Sequence, residues 1–132
     1  MTTTLAIPET HHDLLTRSTV ALSTLNPDGS IQTTAVWVFL EADGTLRMSL
    51  ATNRQKYRNL VREPRATVFA LDPQNPFRFL EVRAAVTIEP DTDKSFLRKV
   101  FTSYDTDPAS MPGLLDEDRV VVTFRPERVI AQ

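Results

Sequence analysis

Residues 26–52 read NPDGSIQTTAVWVFLEADGTLRMSLAT, and they decide the fold because turn signals alternate with strand signals. The opening NPDG is a turn, since Pro27 presets φ and Gly29 accommodates a positive φ. The residues that follow are rich in β-branched and aromatic side chains, which favour strands. ADG at 42–44 predicts a second turn, and TLRMSLAT after it predicts another strand. The stretch therefore predicts antiparallel strands joined by short turns.

The same alternation continues on both sides of this stretch. Strands are predicted over 18–25, 30–41, 45–52, 66–71, 77–89 and 119–132, the last as one strand or two. Helices are predicted over 7–15, 53–62 and 91–104. This order predicts a mainly β (α+β) fold, a six-stranded antiparallel barrel with short peripheral helices. No repeat or linker interrupts it, so residues 1–132 are predicted to form a single domain.

Composition narrows the classes of protein. The absence of cysteine excludes disulfides, thiolate metal sites and cysteine nucleophiles. A formal net charge of -2, without aromatic residues interleaved among basic ones, argues against nucleic-acid binding. No apolar run is long enough to predict a membrane span, and the first residues do not resemble a signal peptide. We therefore expect a cytoplasmic protein that binds a small molecule.

The predicted helix at 53–62 carries the wrong charge at its start. Arg54, Lys56 and Arg58 lie in its first turns, where the helix dipole favours acidic side chains. The later helix at 91–104 follows the dipole rule, with acidic residues early and basic residues late. The first helix therefore differs from a helix elsewhere in the same chain.

Two interpretations of these cations stay open on spacing alone. One is a solvated helix face with basic residues that have no common role. The other is an anion site, because a strand is followed by the cap candidates Thr52 and Asn53 and then by the cations. If it is an anion site, we expect a nucleotide phosphate rather than free phosphate, because the adjacent barrel offers a wall for a ring.

Four motifs within residues 25–86 carry a resemblance to a known family. They are NPDG before the second strand, AVWV at 35–38, RxKxRNL at 54–60 followed by EPR, and LDPQNPFRFLEVR at 71–83. Over residues 10–130 the chain resembles the flavin/deazaflavin oxidoreductases of the split β-barrel fold, relatives of pyridoxamine 5'-phosphate oxidase. Together the motifs resemble the actinobacterial branch that uses coenzyme F420 rather than FMN.

The resemblance implies a homodimer with two cofactor sites at its interface. It implies that Arg54 and Lys56 bind the cofactor phosphate, with Asn59 nearby, and that Arg58 serves the tail carboxylates or is solvated. The end of the third strand, formed by Ser49, Leu50, Ala51 and Thr52, is implied to lie against the cofactor ring. Backbone groups on the second strand, around Thr34, Ala35 and Val36, are implied to face the edge of the ring. Phe77 is implied to reach the site of the partner subunit.

The resemblance also implies the chemistry. It predicts an F420-dependent reductase that transfers a hydride from reduced F420 to a conjugated organic acceptor; the alternatives are an FMN-binding oxidoreductase and a non-catalytic binding protein. Because the cofactor carries the reaction, no catalytic side chain is predicted. Gln55 separates Arg54 from Lys56, whereas pyridoxamine 5'-phosphate oxidases tend to have an adjacent Arg-Lys pair. TTAVWV also lacks their basic residues, and their C-terminal Trp and Arg set is missing, which argues against pyridoxamine oxidation.

For several other conspicuous side chains, a structural role competes with a functional one. His11 and His12 are adjacent on a predicted helix and diverge, so we expect solvated side chains and no metal site. Trp37 is assigned to the core or dimer interface rather than the ring wall, and Tyr57 to the core rather than to proton donation. Tyr104 fits either role.

The segment 105–118 is acidic and is broken by prolines and a glycine. Its composition predicts an exposed surface loop. It also fits a lid beside the substrate opening, because loops that border pockets commonly carry specificity.

Overall fold

The computed structural model describes residues 5–132, so the first four residues of the predicted domain lie outside it. The strands are β1 (Thr19–Leu25), β2 (Ile31–Trp37), β3 (Phe39–Leu40), β4 (Leu46–Ala51), β5 (Arg65–Asp72), β6 (Asn75–Pro90) and β7 (Arg119–Ala131). The α-helices are α1 (Gln55–Arg62) and α2 (Ser95–Ser103), and short 3-10 helices span Glu9–Leu15, Pro108–Ser110 and Leu114–Asp116. No helix in this part of the chain is long and apolar enough to cross a membrane.

The strands form one antiparallel sheet in the order β2-β1-β5-β6-β7-β4-β3. β2 and β3 occupy the two ends of this order, yet Val38 alone separates them in the chain. One continuous segment therefore pairs with β1 at one end of the sheet and with β4 at the other. This connection closes the sheet into the split barrel that the sequence predicts.

The described residues contain seven strands, not the predicted six, because the strand predicted over 30–41 is divided at Val38. The Tyr104 hydroxyl accepts a hydrogen bond from the Val38 N–H at 3.3 Å. The same hydroxyl lies 2.8 Å from the Val38 carbonyl and 3.0 Å from the Ser18 carbonyl, between which its proton is shared. A side chain thus satisfies the backbone groups that a neighbouring strand would otherwise bind.

The helices begin later than the sequence predicts. Helix α1 starts at Gln55 with Arg54 as its N-cap, whose backbone is extended. Helix α2 starts at Ser95 because Lys94 adopts a left-handed conformation with φ of 60°. Asp91 lies before that bend, and its buried carboxylate accepts hydrogen bonds from the backbone N–H groups of Phe96 and Leu97 in the first turn of α2. Asp91 thus caps the helix from outside, which its acidic character predicts.

Two hydrophobic clusters fill the structure. The larger one lies inside the barrel and is built from alternate strand positions, of which Leu22, Val68 and Val122 are at most 1% exposed. Complete burial of each such side chain contributes about 1.5–3 kcal/mol. The smaller cluster joins helix α2 to the outside of the barrel through Phe101 and Trp37, among others. The second cluster fixes α2 beside the ends of β2 and β4.

We predict that Tyr104→Phe lowers the free energy of unfolding by about 1–3 kcal/mol, because it leaves backbone groups at Val38 and Ser18 without their partner. The aromatic ring and its packing are retained, so the change isolates the hydroxyl. Urea unfolding measures the effect. Tyr57→Phe is the matched control, since within residues 5–132 the Tyr57 hydroxyl makes no hydrogen bond. Equal stability of the two variants would contradict this account.

Candidate functional site

A cavity of about 440 Å³ opens where helix α1 begins. The ends of β2 and β4, the start of β7 and one side of α2 surround it. Its lining residues are Thr19, Ala35, Val36, Trp37, Ser49, Leu50, Ala51, Arg54, Lys56, Val100, Phe101, Met111 and Arg119. The structure therefore brings together five of the seven residues predicted to face the ring and the first two predicted cations.

Strand register explains why these elements meet. β4 and β7 pair so that Ala51 lies opposite Arg119, which places the end of one strand beside the start of the other. The chain then turns directly from Ala51 into helix α1, whose N-cap side chain makes no capping hydrogen bond. The N–H groups of Gln55 and Lys56 have no partner within the helix, and Lys56 lines the cavity.

Three cationic side chains converge in the cavity, namely Arg54, Lys56 and Arg119. The Lys56 ammonium donates a hydrogen bond to Thr34 Oγ1 at 3.2 Å and thereby bridges helix α1 and strand β2. Burial lowers the pKa of Lys56, and the charges of Arg54 and Arg119 lower it further. In the described part of the chain, no carboxylate lies within 4.0 Å of Lys56 or Arg119. A bound anion would relieve this mutual repulsion.

Arg119 is the member of this group that sequence reasoning missed. Its Nε and Nη2 atoms donate to Ser49 Oγ at 3.3 and 3.1 Å, which fixes the guanidinium across the strand pair. Burial lowers the pKa of Arg119, Glu117 opposes that shift, and Arg54 adds to it. Arg119 lies far along the chain from Arg54, so only the pairing of β4 with β7 would have revealed it.

The opposite wall of the cavity is apolar and aromatic. Trp37 stacks on Tyr104 with ring centroids 4.3 Å apart and meets Phe101 edge-on at 5.1 Å. Its indole N–H donates to Thr19 Oγ1 at 3.3 Å. Trp37 therefore belongs both to the second hydrophobic cluster and to the cavity wall, whereas its position in the sequence predicted the core or dimer interface. Tyr57 packs against the main core, as its helical phase predicts.

Asn59, predicted to lie near the phosphate, is fully buried outside the cavity lining. Its Nδ2 donates to Thr24 Oγ1 at 3.1 Å and to Asn26 Oδ1 at 3.0 Å. Its Oδ1 accepts from Gln55 Nε2 at 2.9 Å. Within the subunit Asn59 therefore anchors helix α1 to the turn between β1 and β2, and so positions the cations.

The remaining predicted residues also lie outside the lining. Thr34 flanks the cavity as the hydrogen-bond acceptor described above, and the Thr52 N–H donates to the Asp118 carbonyl at 3.0 Å. Arg58 is exposed and donates to Gln55 Oε1 at 2.8 Å, within its own helix. Phe77 is 82% exposed on the hairpin that joins β5 and β6. Neither of these two side chains lines the cavity.

The acidic segment 105–118, predicted as a surface loop, contains two short 3-10 helices. Pro108 and Leu114 are buried, and Met111 lines the cavity while remaining 44% exposed. The segment therefore borders the opening, and its function as a lid stays a prediction.

His11 and His12 bind separate backbone carbonyls. The Nε2 atom of His11 lies 3.0 Å from the Gln132 carbonyl, and that of His12 lies 3.0 Å from the Ile7 carbonyl. Across residues 5–132, no three His, Cys, Asp or Glu side chains are grouped so as to hold a metal ion.

Solved structures include close and distant relatives of this fold. A protein described as an F420 reductase is 38% identical, with 96% of this chain and 100% of that chain covered and a TM-score of 0.83. A conserved hypothetical protein from Mycobacterium tuberculosis is 22% identical over 96% of this chain and 85% of its own, with a TM-score of 0.70. The heme storage protein HutZ from Vibrio cholerae is 15% identical over 97% and 95%, with a TM-score of 0.65. The two lower identities show the fold alone.

The profile of the pyridoxamine 5'-phosphate oxidase family matches residues 7–132, almost the whole chain. No curated protein matched the sequence. The profile and the F420 reductase together confirm the resemblance that the sequence motifs indicate. The chain therefore belongs to the pyridoxamine 5'-phosphate oxidase family of flavin- and F420-type oxidoreductases.

Proposed function

We propose that this protein is an F420-dependent reductase that delivers a hydride from reduced F420 to a conjugated organic acceptor. The observation that carries the proposal is the convergence of three cations with an aromatic wall in one cavity. This combination suits a ligand with an anionic tail and a planar ring. The 38% identity to an F420 reductase over 96% of the chain supports F420 as that ligand.

The residues of the cavity fit such a cofactor. Arg54, Lys56 and Arg119 would bind its phosphate together with the first N–H groups of helix α1, while Asn59 holds that helix in place. The ring would lie against Trp37 and between the lining residues of β2 and those of β4. Bound F420 supplies the hydride. The protein binds and orients the ring and excludes water through its apolar wall.

An FMN-dependent oxidoreductase is the second candidate, and one observation favours it. The three cations of the cavity match the dianionic phosphate monoester of FMN well. Both candidates predict the same binding residues. A non-catalytic binding protein would share them too, and turnover with conjugated acceptors separates it from the enzymes.

We also propose that the protein is a homodimer with the cavity at its interface. The outer face of β1, β2, β5 and β6 carries exposed apolar side chains, including Ile31 at 68% and Phe69 at 39%. Ala35 lies on that face and in the cavity lining, so the two surfaces are continuous. A second copy covering this face would border the cavity. Phe77 then reaches the partner's site from its exposed hairpin.

We predict that Lys56→Ala and Arg119→Ala each weaken F420 binding by about 1.5–3 kcal/mol, the usual effect of losing a hydrogen bond to a charged group. Arg62→Ala is the matched control on the same helix, because Arg62 points towards the Leu25 carbonyl and away from the cavity. Isothermal titration calorimetry measures the three affinities, and thermal unfolding monitors the fold. Comparable weakening by Arg62→Ala would show that the phosphate is misplaced.

We predict that Phe69→Glu converts the dimer to monomers, because it buries a charge in the proposed interface. Size-exclusion chromatography with light scattering measures the mass. Val61→Glu is the control, since Val61 is 59% exposed on helix α1 rather than on the sheet face. A wild-type monomer, or a Phe69→Glu variant that remains dimeric, would contradict the proposed interface.

A further inference from the structure

The carboxylate of Glu117 lies beside one of the cations that line the cavity. Glu117 lies near the end of the acidic segment, two residues before Arg119, and its side chain is 21% exposed. Its Oε2 atom is buried and accepts no hydrogen bond from any residue between 5 and 132. The nearest cationic group is Nη2 of Arg54, at 3.7 Å. This carboxylate is therefore close enough to neutralise Arg54, yet too far away for a good hydrogen bond.

The charge of Glu117 acts on more than one cation. Its field stabilises the charged form of Arg119, against the burial and the repulsion from Arg54 that destabilise it. A phosphate in the same place would form shorter, charge-assisted hydrogen bonds with the guanidinium groups than this carboxylate does. The pairing between Glu117 and Arg54 is thus weaker than the pairing that a ligand phosphate offers.

Backbone hydrogen bonds fix the chain next to Glu117. Separation of the Glu117 carboxylate from Arg54 therefore needs only a rotation of the side chain. The Asp118 carbonyl accepts the Thr52 N–H at 3.0 Å, and the Arg119 carbonyl accepts the Asp91 N–H at 2.9 Å. Both bonds tie the residues after Glu117 to neighbouring segments. A rotamer change of an exposed or partly exposed side chain is fast compared with loop rearrangement.

We propose that Glu117 is a displaceable internal counter-ion, which neutralises Arg54 in the ligand-free protein and releases it to the phosphate of a bound ligand. The inference rests on the proposed function, because it assigns a regulatory role within the same binding site. Its consequence is that Glu117 competes with the ligand phosphate and lowers the affinity for it. When the site holds no ligand, the negative charge of Glu117 offsets part of the positive charge of Arg54 and Arg119.

The test is Glu117→Gln, which keeps the size of the side chain and removes its charge. Dissociation constants are measured for F420 and FMN, and for the two ring systems without phosphate, namely the ring alcohol of F420 and riboflavin. We expect the phosphorylated ligand to bind roughly three- to tenfold more tightly to the variant. Affinity for the ring compounds stays unchanged, because they carry no phosphate that could replace Glu117 beside Arg54.

Asp116→Asn is the matched control, since it makes the same change in net charge at the exposed neighbouring residue. We expect its effect to be within about twofold of wild type, because solvent screens an exposed charge. In an Arg54→Ala background the gain from Glu117→Gln should shrink, as expected for two coupled groups. A full gain in that background would overturn the pairing.

Weaker or unchanged binding of the phosphorylated ligand by Glu117→Gln overturns the inference, because Glu117 then orients Arg54 or has no influence on it. Failure of wild type to bind F420 and FMN is a different result and counts against the proposed function. In that case, titration of wild type and Glu117→Gln with inorganic pyrophosphate tests the role of Glu117 independently of the cofactor. Tighter pyrophosphate binding by the variant supports the counter-ion, and equal binding overturns it.

Discussion

The hydrogen bonds between the Tyr104 hydroxyl and the backbone of Val38 link the fold to the site. They provide hydrogen-bond partners for the Val38 N–H and carbonyl, at the point where the chain passes from β2 to β3. Because β2 pairs with β1 and β3 pairs with β4, this passage closes the barrel. The neighbouring residue, Trp37, stacks on the Tyr104 ring and forms the cavity wall. Tyr104 therefore holds both the break between β2 and β3 and the aromatic surface that a cofactor ring would contact.

Charge has a comparable organising role. The chain carries a formal net charge of -2, yet three cations and no carboxylate are among the described residues that line the cavity. Concentrating like charges under partial burial is unfavourable in the free protein. A bound anion would offset this cost, as the proposed function requires, and would account for the basic residues at the start of helix α1, where the dipole favours acidic ones.

The sequence predicted those features whose signal is local. Arg54 and Lys56 stood out because they violate a rule about the helix on which they lie, and the turns stood out by their prolines and glycines. The position of Arg119 depends on the register of β4 with β7, and the break at Val38 depends on a tyrosine distant in the chain. Neither leaves a periodic trace in its own segment. Asn59 was correctly grouped with the helix, but its complete burial follows from packing that the residue type does not reveal.

The central claim is that this cavity binds F420 through its phosphate and ring, and a fluorescence titration tests it most directly. Trp37 is the single tryptophan of the chain and lines the cavity, so its emission reports a ring bound there. Purified protein is titrated separately with F420 and with FMN. The account predicts saturable quenching by F420 at lower concentration than by FMN. Tight binding of FMN with weak binding of F420, or no quenching by either, would contradict it.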